Sequence, residues 1–197
     1  MIPPFAPSGV LPPYIGPSPA DILGVSPYRT TMSEIATTLA TTKERAKLCR
    51  GLLDYREALR AIGITRAVQW INGSFCENVE VTRGKPPADI DVVTLLLRPP
   101  SHQDDAAWVA LVTANLHVFD PAQTKAQYHC DAYPIDLHLP LDHTISQLTY
   151  WFGLFTHKRT TTLWKGILQV PILSDDVAAS ANVAATLNPP LLTAPLP

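Results

Sequence analysis

Trp70-Ile71-Asn72-Gly73-Ser74, then fourteen residues, then Asp89-Ile90-Asp91-Val92-Val93-Thr94-Leu95-Leu96-Leu97 is the part of the chain whose reading decides its architecture. Ala67 to Ile71 is β-prone, and it ends at Asn72-Gly73-Ser74, which is loop or turn chemistry. Phe75 to Glu80 has room for about two turns of helix. Arg83-Gly84-Lys85-Pro86-Pro87 reads as a loop. Ile90 to Leu97 is an almost unbroken apolar run of Ile, Val, Thr and Leu after Asp91, the pattern of a buried strand. A short strand, a sharp break and a buried strand opened by two aspartates form the centre of the expected fold.

Working outward, Thr31-x-x-Glu34 and Thr41-x-x-Glu44 have capping-box spacing. The second opens a long amphipathic helix to Ile62, with Cys49, Leu52, Leu59 and Ile62 on one stripe and Gly63 as its stop. Ser101-x-x-Asp104 starts another helix with Trp108, Val109, Val112 and Leu116 on its inner face. Gln127 to Tyr133 reads as a strand that Pro134 ends or confines to a sheet edge. Asp142 caps a helix carrying Ile145, Leu148, Phe152 and Phe155, and Leu163 to Leu173 reads as a last strand interrupted near Pro171. The alanines of Val177 to Ala185 predict a closing helix. Strands alternating with helices predict a mixed α/β (α+β) structure, one mixed β-sheet with helices packed on it.

The 20 prolines among 197 residues gather at the ends, from Pro3 to Pro27 and from Pro189 to Pro197. Because proline fixes φ and removes a donor, those stretches are expected to be extended arms on the surface or trailing from it. The expected organisation is a Pro-rich arm over 1–30, a domain over 31–174, and a C-terminal helix with a Pro-rich tail over 175–197. Hydrophobic residues make up 46% of the chain, enough for a packed core. With 15 basic against 17 acidic residues, broad coating of duplex nucleic acid is disfavoured, although a focused phosphate site is not. Neither a membrane span nor a secretory leader is expected, and the chain reads as cytoplasmic. Cys49, Cys76 and Cys130 are dispersed without a C-x-x-C pair, so buried thiols are expected rather than a zinc site or disulfide framework.

Chemistry concentrates in the opening stretch. Carboxylates at the mouth of an apolar strand are costly unless paired or solvated. Residues i and i+2 of a strand face the same way, about 6.5–7 Å apart at Cα, so Asp89 and Asp91 can converge on one or two hard divalent ions. Magnesium, or manganese, in a two-metal site suits oxygen ligands and would stabilise both the attacking and the leaving oxygen of a phosphoryl or nucleotidyl displacement. Gly73 lets backbone amides approach a ligand, and the Ser74 hydroxyl adds a donor for a phosphate oxygen. A phosphate cradle followed by paired aspartates points to a nucleoside triphosphate.

The order hydrophobic-Gly73-Ser74, spacer, Asp89-hydrophobic-Asp91-hydrophobic resembles the signature of the DNA polymerase beta-like nucleotidyltransferase superfamily, especially its small single-domain members, the minimal nucleotidyltransferases. The resemblance implies that Gly73 and Ser74 bind the triphosphate and that Asp89 and Asp91 ligate metal. It implies a third carboxylate on a later strand, for which Asp131 in Cys130-Asp131-Ala132-Tyr133 is the best match and Asp136 the fallback, with Asp131 as base and metal ligand. The implied activity is metal-dependent transfer of an NMP or dNMP to a hydroxyl, at a nucleic-acid or nucleotide 3′ end or on a partner protein, with release of pyrophosphate. Small members often belong to bacterial toxin–antitoxin or anti-phage defence modules, which implies a cognate partner. A catalytically idle fold of the same kind, acting as a binding or regulatory module, is the alternative. The wider chain is similar to a group of small bacterial proteins sharing a Pro-Pro-rich start, Ser26-Pro27-Tyr28-Arg29-Thr30-Thr31 and Gly153-Leu154-Phe155-x-His157.

Other residues carry paired readings. Arg83 and Lys85 hold β- or γ-phosphates, or belong to a solvated loop. His157-Lys158-Arg159 is the densest basic cluster; it contacts nucleotide or nucleic-acid phosphate, with Trp164 or Tyr150 as stacking surfaces, or it complements a helix C-terminus. His138 and His143 with Asp136 and Asp142 fit no zinc template. Cys76 reads as packing rather than a nucleophile, and Glu77 pairs with Arg83 or joins the metal site.

Overall fold

The computed structural model describes residues 1–159 and 161–189. In chain order the elements are β1 (Tyr28–Arg29), α1 (Met32–Leu39), α2 (Lys43–Ala61), β2 (Ala67–Asn72), α3 (Val79–Arg83), β3 (Ile90–Leu96), α4 (Asp105–Ala114), α5 (Leu116–Phe119), α6 (Pro121–Tyr128), β4 (Cys130–Asp136), α7 (Leu141–Phe155), β5 (Leu168–Pro171) and α8 (Asp176–Leu187). The strands form one mixed sheet in the order β1-β5-β2-β3-β4. β2 runs antiparallel to both β3 and β5, while β3–β4 and β1–β5 are parallel. The expected mixed sheet with packed helices is therefore present.

Side-chain alternation along the strands divides the sheet into two unequal faces. Ile90, Val92 and Leu96 of β3, Ile71 of β2 and Cys130 and Ala132 of β4 belong to the main core, with residues of α1, α2, α5, α6 and α8. Val93 and Leu95, Trp70, and Tyr133 and Ile135 face the other way and meet Leu148, Trp151, Leu154 and Phe155 of α7. Asp91, Asn72 and Asp131 share the parity of this second, lightly covered face, and they lie where α7 ends.

Local chemistry explains most of the helix ends. The Thr31 side chain accepts the Glu34 amide and Asp104 accepts the Ala107 amide, as capping requires. For α2 the cap is Thr42, accepting from Arg45 N, one residue after the expected Thr41. Its end follows the expected stop: Gly63 at φ +89° donates to the Arg60 carbonyl, and Ile64 donates to that of Leu59.

Four expectations require correction. Residues 1–30, expected as an extended arm on the surface or trailing from it, are anchored in the fold: Ile2, Val10 and Leu11 are buried, Tyr28 and Arg29 form a sheet strand, and the Ile2 amide donates to Glu34 Oε1. Burial of these apolar side chains holds the proline-rich segment against the core. Gln127 and Tyr128 end a helix capped by Asp120 and opened by Pro121; the strand begins only at Cys130, and Pro134 lies inside it. β4 is an edge strand, which tolerates the missing donor. Phe75 to Glu80 is a single 3-10 turn over Ser74–Cys76 followed by α3, rather than two helical turns. Asp142 occupies the first turn of α7, whose cap is Pro140. Of the expected tail, Pro190, Pro195 and Pro197 lie outside the described residues.

Candidate active site

Two neighbouring strands aim carboxylates at one place. β3 and β4 are parallel and in a register that sets Asp91 directly beside Asp131, while Asp89 precedes β3 by one residue. On the other side of β3, Asn72 is the residue paired with Asp91. Gly73 then turns the chain at φ +78°, and a β-carbon there would collide with the Asp91 carboxylate. Glycine is thus required twice, by the backbone conformation and by the close approach of Asp91.

These residues line a cavity of about 350 Å³ together with Ser74, Glu77, Arg83, Lys125, Leu154, Phe155, His157, Lys158, Arg159 and Lys165. The acidic wall is Asp89, Asp91 and Asp131. Burial first, and then the charges of Asp89 and Asp131, push the Asp91 carboxyl up to about 6. The nearest counter-charge on the wall is Lys125 of α6, whose Nζ is 2.6 Å from Asp89 Oδ2 and 3.8 Å from Asp131 Oδ2.

The opposite wall is basic and is organised by one buried acid. Glu77 accepts Lys165 Nζ at 2.8 Å and Arg83 at 3.0 Å, and Lys158 Nζ lies 3.9 Å from it. Glu77 is itself fixed from behind, because the buried Arg45 of α2 donates to the carbonyls of Phe75 and Glu77 and to both oxygens of Glu80. The buried Glu77 carboxylate gathers the buried Lys165 and the more exposed Arg83 on one side of the cavity, with Lys158 beside them. The cavity therefore offers a cationic surface for an anionic ligand facing a cluster of hard oxygen donors.

Of the residues expected from sequence, Gly73, Ser74, Arg83, Asp89, Asp91, Asp131, Lys158 and Arg159 all line the cavity. Lys85 does not; it is exposed beyond the left-handed Gly84. Asp136 belongs to the far end of β4, where it pairs with the buried Arg98 at 2.7 Å, which leaves Asp131 as the third carboxylate of the cavity. Trp164 packs against Tyr14 and Tyr150 against Trp151, and neither borders the cavity. Cys76 is buried, its Sγ donates to the Ile71 carbonyl, and burial pushes its thiol up to about 12, so it serves packing. Among the described residues no three His, Cys, Asp or Glu side chains stand in a metal-holding arrangement, and no helix is long and apolar enough to cross a membrane.

Sequence reasoning missed Lys125, Lys165 and Asn72. Lys165 left a signal, as the one charge in Leu163-Trp164-Lys165-Gly166-Ile167-Leu168. Lys125 left none, because its helix was read partly as strand. Asn72 was read as a turn residue; its Nδ2 donates to the Phe155 carbonyl and its buried Oδ1 has no partner.

Residues 3–171 match a family of unknown function, DUF6932. The chain belongs to that family. No curated protein and no solved structure matches it. The DUF6932 match takes in every residue that lines the cavity and stops at the last residue of β5, before α8.

Proposed function

We propose that this DUF6932 protein is a metal-dependent nucleotidyltransferase of the polymerase beta-like kind, moving an NMP or dNMP from a nucleoside triphosphate to a hydroxyl acceptor. The observation that carries the reading is the single cavity in which Asp89, Asp91 and Asp131 face the basic residues gathered around Glu77. The donor chemistry suits magnesium or manganese, although the three carboxylates line the cavity without being drawn together into a metal-holding arrangement. The donors are hard oxygens, one of them on a carboxyl raised to about 6, beside an Asn72 Oδ1 that is buried without a partner. Asp89, Asp91 and Asp131 would hold the ions. Bound there, they would offset charge on the triphosphate and on the displaced oxygens.

The chain's own groups have separable tasks. Arg83, Lys158, Arg159 and Lys165 bind the phosphates, with the Ser74 hydroxyl and the amides after Gly73 as neutral donors. Fixing the triphosphate against this wall presents its α-phosphorus to the acidic side of the cavity, where the acceptor hydroxyl enters. Asp131 takes the proton of that hydroxyl as it attacks, and pyrophosphate leaves toward the cations. The helix-dipole contribution is small, since only a 3-10 turn follows Gly73.

The Lys125–Asp89 ion pair favours a second reading, a binding module in which Lys125 stays on the acidic wall and no turnover occurs. Thin-layer analysis of products from each α-labelled NTP and dNTP with magnesium or manganese, with and without the genomic neighbour's protein, separates the two. Transfer gives a labelled ladder for a nucleic-acid acceptor or a labelled protein band for a partner. Bound nucleotide with no label transferred to any acceptor would overturn the enzymatic reading in favour of the module.

A further inference from the structure

The three aspartates and the basic wall do not neutralise each other directly. Lys165 and Arg83 are committed to Glu77, with Lys158 beside it. Asp89 and Asp131 are served instead by Lys125, and Asp91 has no ion-pair partner within 4 Å among the described residues. Lys125 is therefore the wall's own counter-ion. Its main chain is fixed close to the wall, since the Lys125 carbonyl accepts the His129 amide at the left-handed end of α6, immediately before β4 begins. The side chain reaches the acidic wall from the last turn of α6, ahead of the strand that carries Asp131.

Two features show that this arrangement is incomplete. The Lys125 side chain is 53% exposed, and an exposed ion pair on a flexible stem contributes little. Beside Asp91, Asn72 is fully buried, its Nδ2 is committed to the Phe155 carbonyl, and its Oδ1 has no partner. An orphaned carbonyl oxygen and three carboxylates need more positive charge and more donors than one ammonium supplies.

We propose that Lys125 is a tethered counter-ion that exchanges with a divalent cation, its ammonium leaving Asp89 and Asp131 as the cation arrives. This rests on the reading of the acidic wall as a cation site. Without the cation, Lys125 keeps Asp89 and Asp131 from repelling each other; with it, Lys125 swings out and becomes a further basic group at the cavity mouth. Cation binding and Lys125 release are two sides of one equilibrium, so removing the ammonium strengthens cation binding.

Calorimetric titration with Mn²⁺, without nucleotide, tests this on the full chain, Lys125→Met and Asp91→Asn. The expected result is binding by the wild type, about three- to tenfold tighter binding by Lys125→Met, and loss in Asp91→Asn. Acetic anhydride labelling read by mass spectrometry gives a second measure on the unmodified sequence. Mn²⁺ is expected to speed acetylation of Lys125 several-fold while that of the exposed Lys47 stays constant. Binding by the wild type with equal or weaker binding by Lys125→Met, or unchanged Lys125 labelling, overturns the exchange and leaves the cation site standing. No binding by either the wild type or Lys125→Met overturns the cation site and the exchange with it.

Discussion

Gly73 and Asp91 constrain one another, and each can be tested alone. Gly73 holds a φ that L side chains rarely adopt, and a β-carbon would meet the Asp91 carboxylate. Gly73→Ala is expected to cost about 2–3 kcal/mol by urea unfolding, from strain and from the displaced carboxylate. A change under about 0.5 kcal/mol would show that the turn can relax. Asp91 makes a prediction with a sign. Its folded value is raised to about 6 from an ordinary value near 3.8, so the ionised carboxyl opposes folding. That cost is fully present above pH 6, declines as pH falls through 6, and is gone below about 4, where both states are protonated. Without divalent cation, Asp91→Asn should therefore be more stable than wild type by about 1–2 kcal/mol at pH 7.5, after discounting for solvent screening, and no more stable at pH 4. An equal gain at both pH values would mean that the Asn side chain simply packs better.

At the scale of elements, α2 does more than cover the sheet. Arg45 reaches from it to the carbonyls of Phe75 and Glu77, so one helix fixes the turn that carries Ser74 and Glu77 into the cavity. Arg45→Met keeps the length and removes these bonds, leaving two buried carbonyls and the Glu80 carboxylate unpaired. A loss of about 2–4 kcal/mol in urea unfolding is expected. An unchanged midpoint would show that water replaces the guanidinium. The same scale explains what could be read from sequence. Thr31 announced its helix because capping is local, the helix expected from Ser101 is capped three residues later by Asp104, and β3 was evident because an apolar run makes its two aspartates conspicuous. α6 was missed because Pro121 to Tyr128 is short and mostly polar, without a clear apolar face. Its helix follows from the Asp120 cap and from packing on β4. Pro134 was compatible with a strand only because β4 is an edge, which is a property of the whole sheet.

The whole molecule is asymmetric, and the cavity is where the asymmetry is greatest. Most helices cover one face of the sheet, α7 covers part of the other, and the uncovered end of that second face is the mouth of β3 and β4. Asp89, Asp91 and Asp131 were legible because each stands out against its apolar neighbours. The cations that complete the site were less so, since Lys125 and Lys165 reach it from α6 and from the segment before β5. Only folding brings them together. The proposed nucleotidyl transfer depends on the acidic wall. It is tested most directly by the rate of magnesium-dependent pyrophosphate release from a panel of NTPs and dNTPs, by the wild type and by Asp91→Asn. Release by the wild type and a fall of about 10³ or more in the variant are expected; undiminished release by Asp91→Asn, or inorganic phosphate as the product in place of pyrophosphate, would rule out nucleotidyl transfer at this wall.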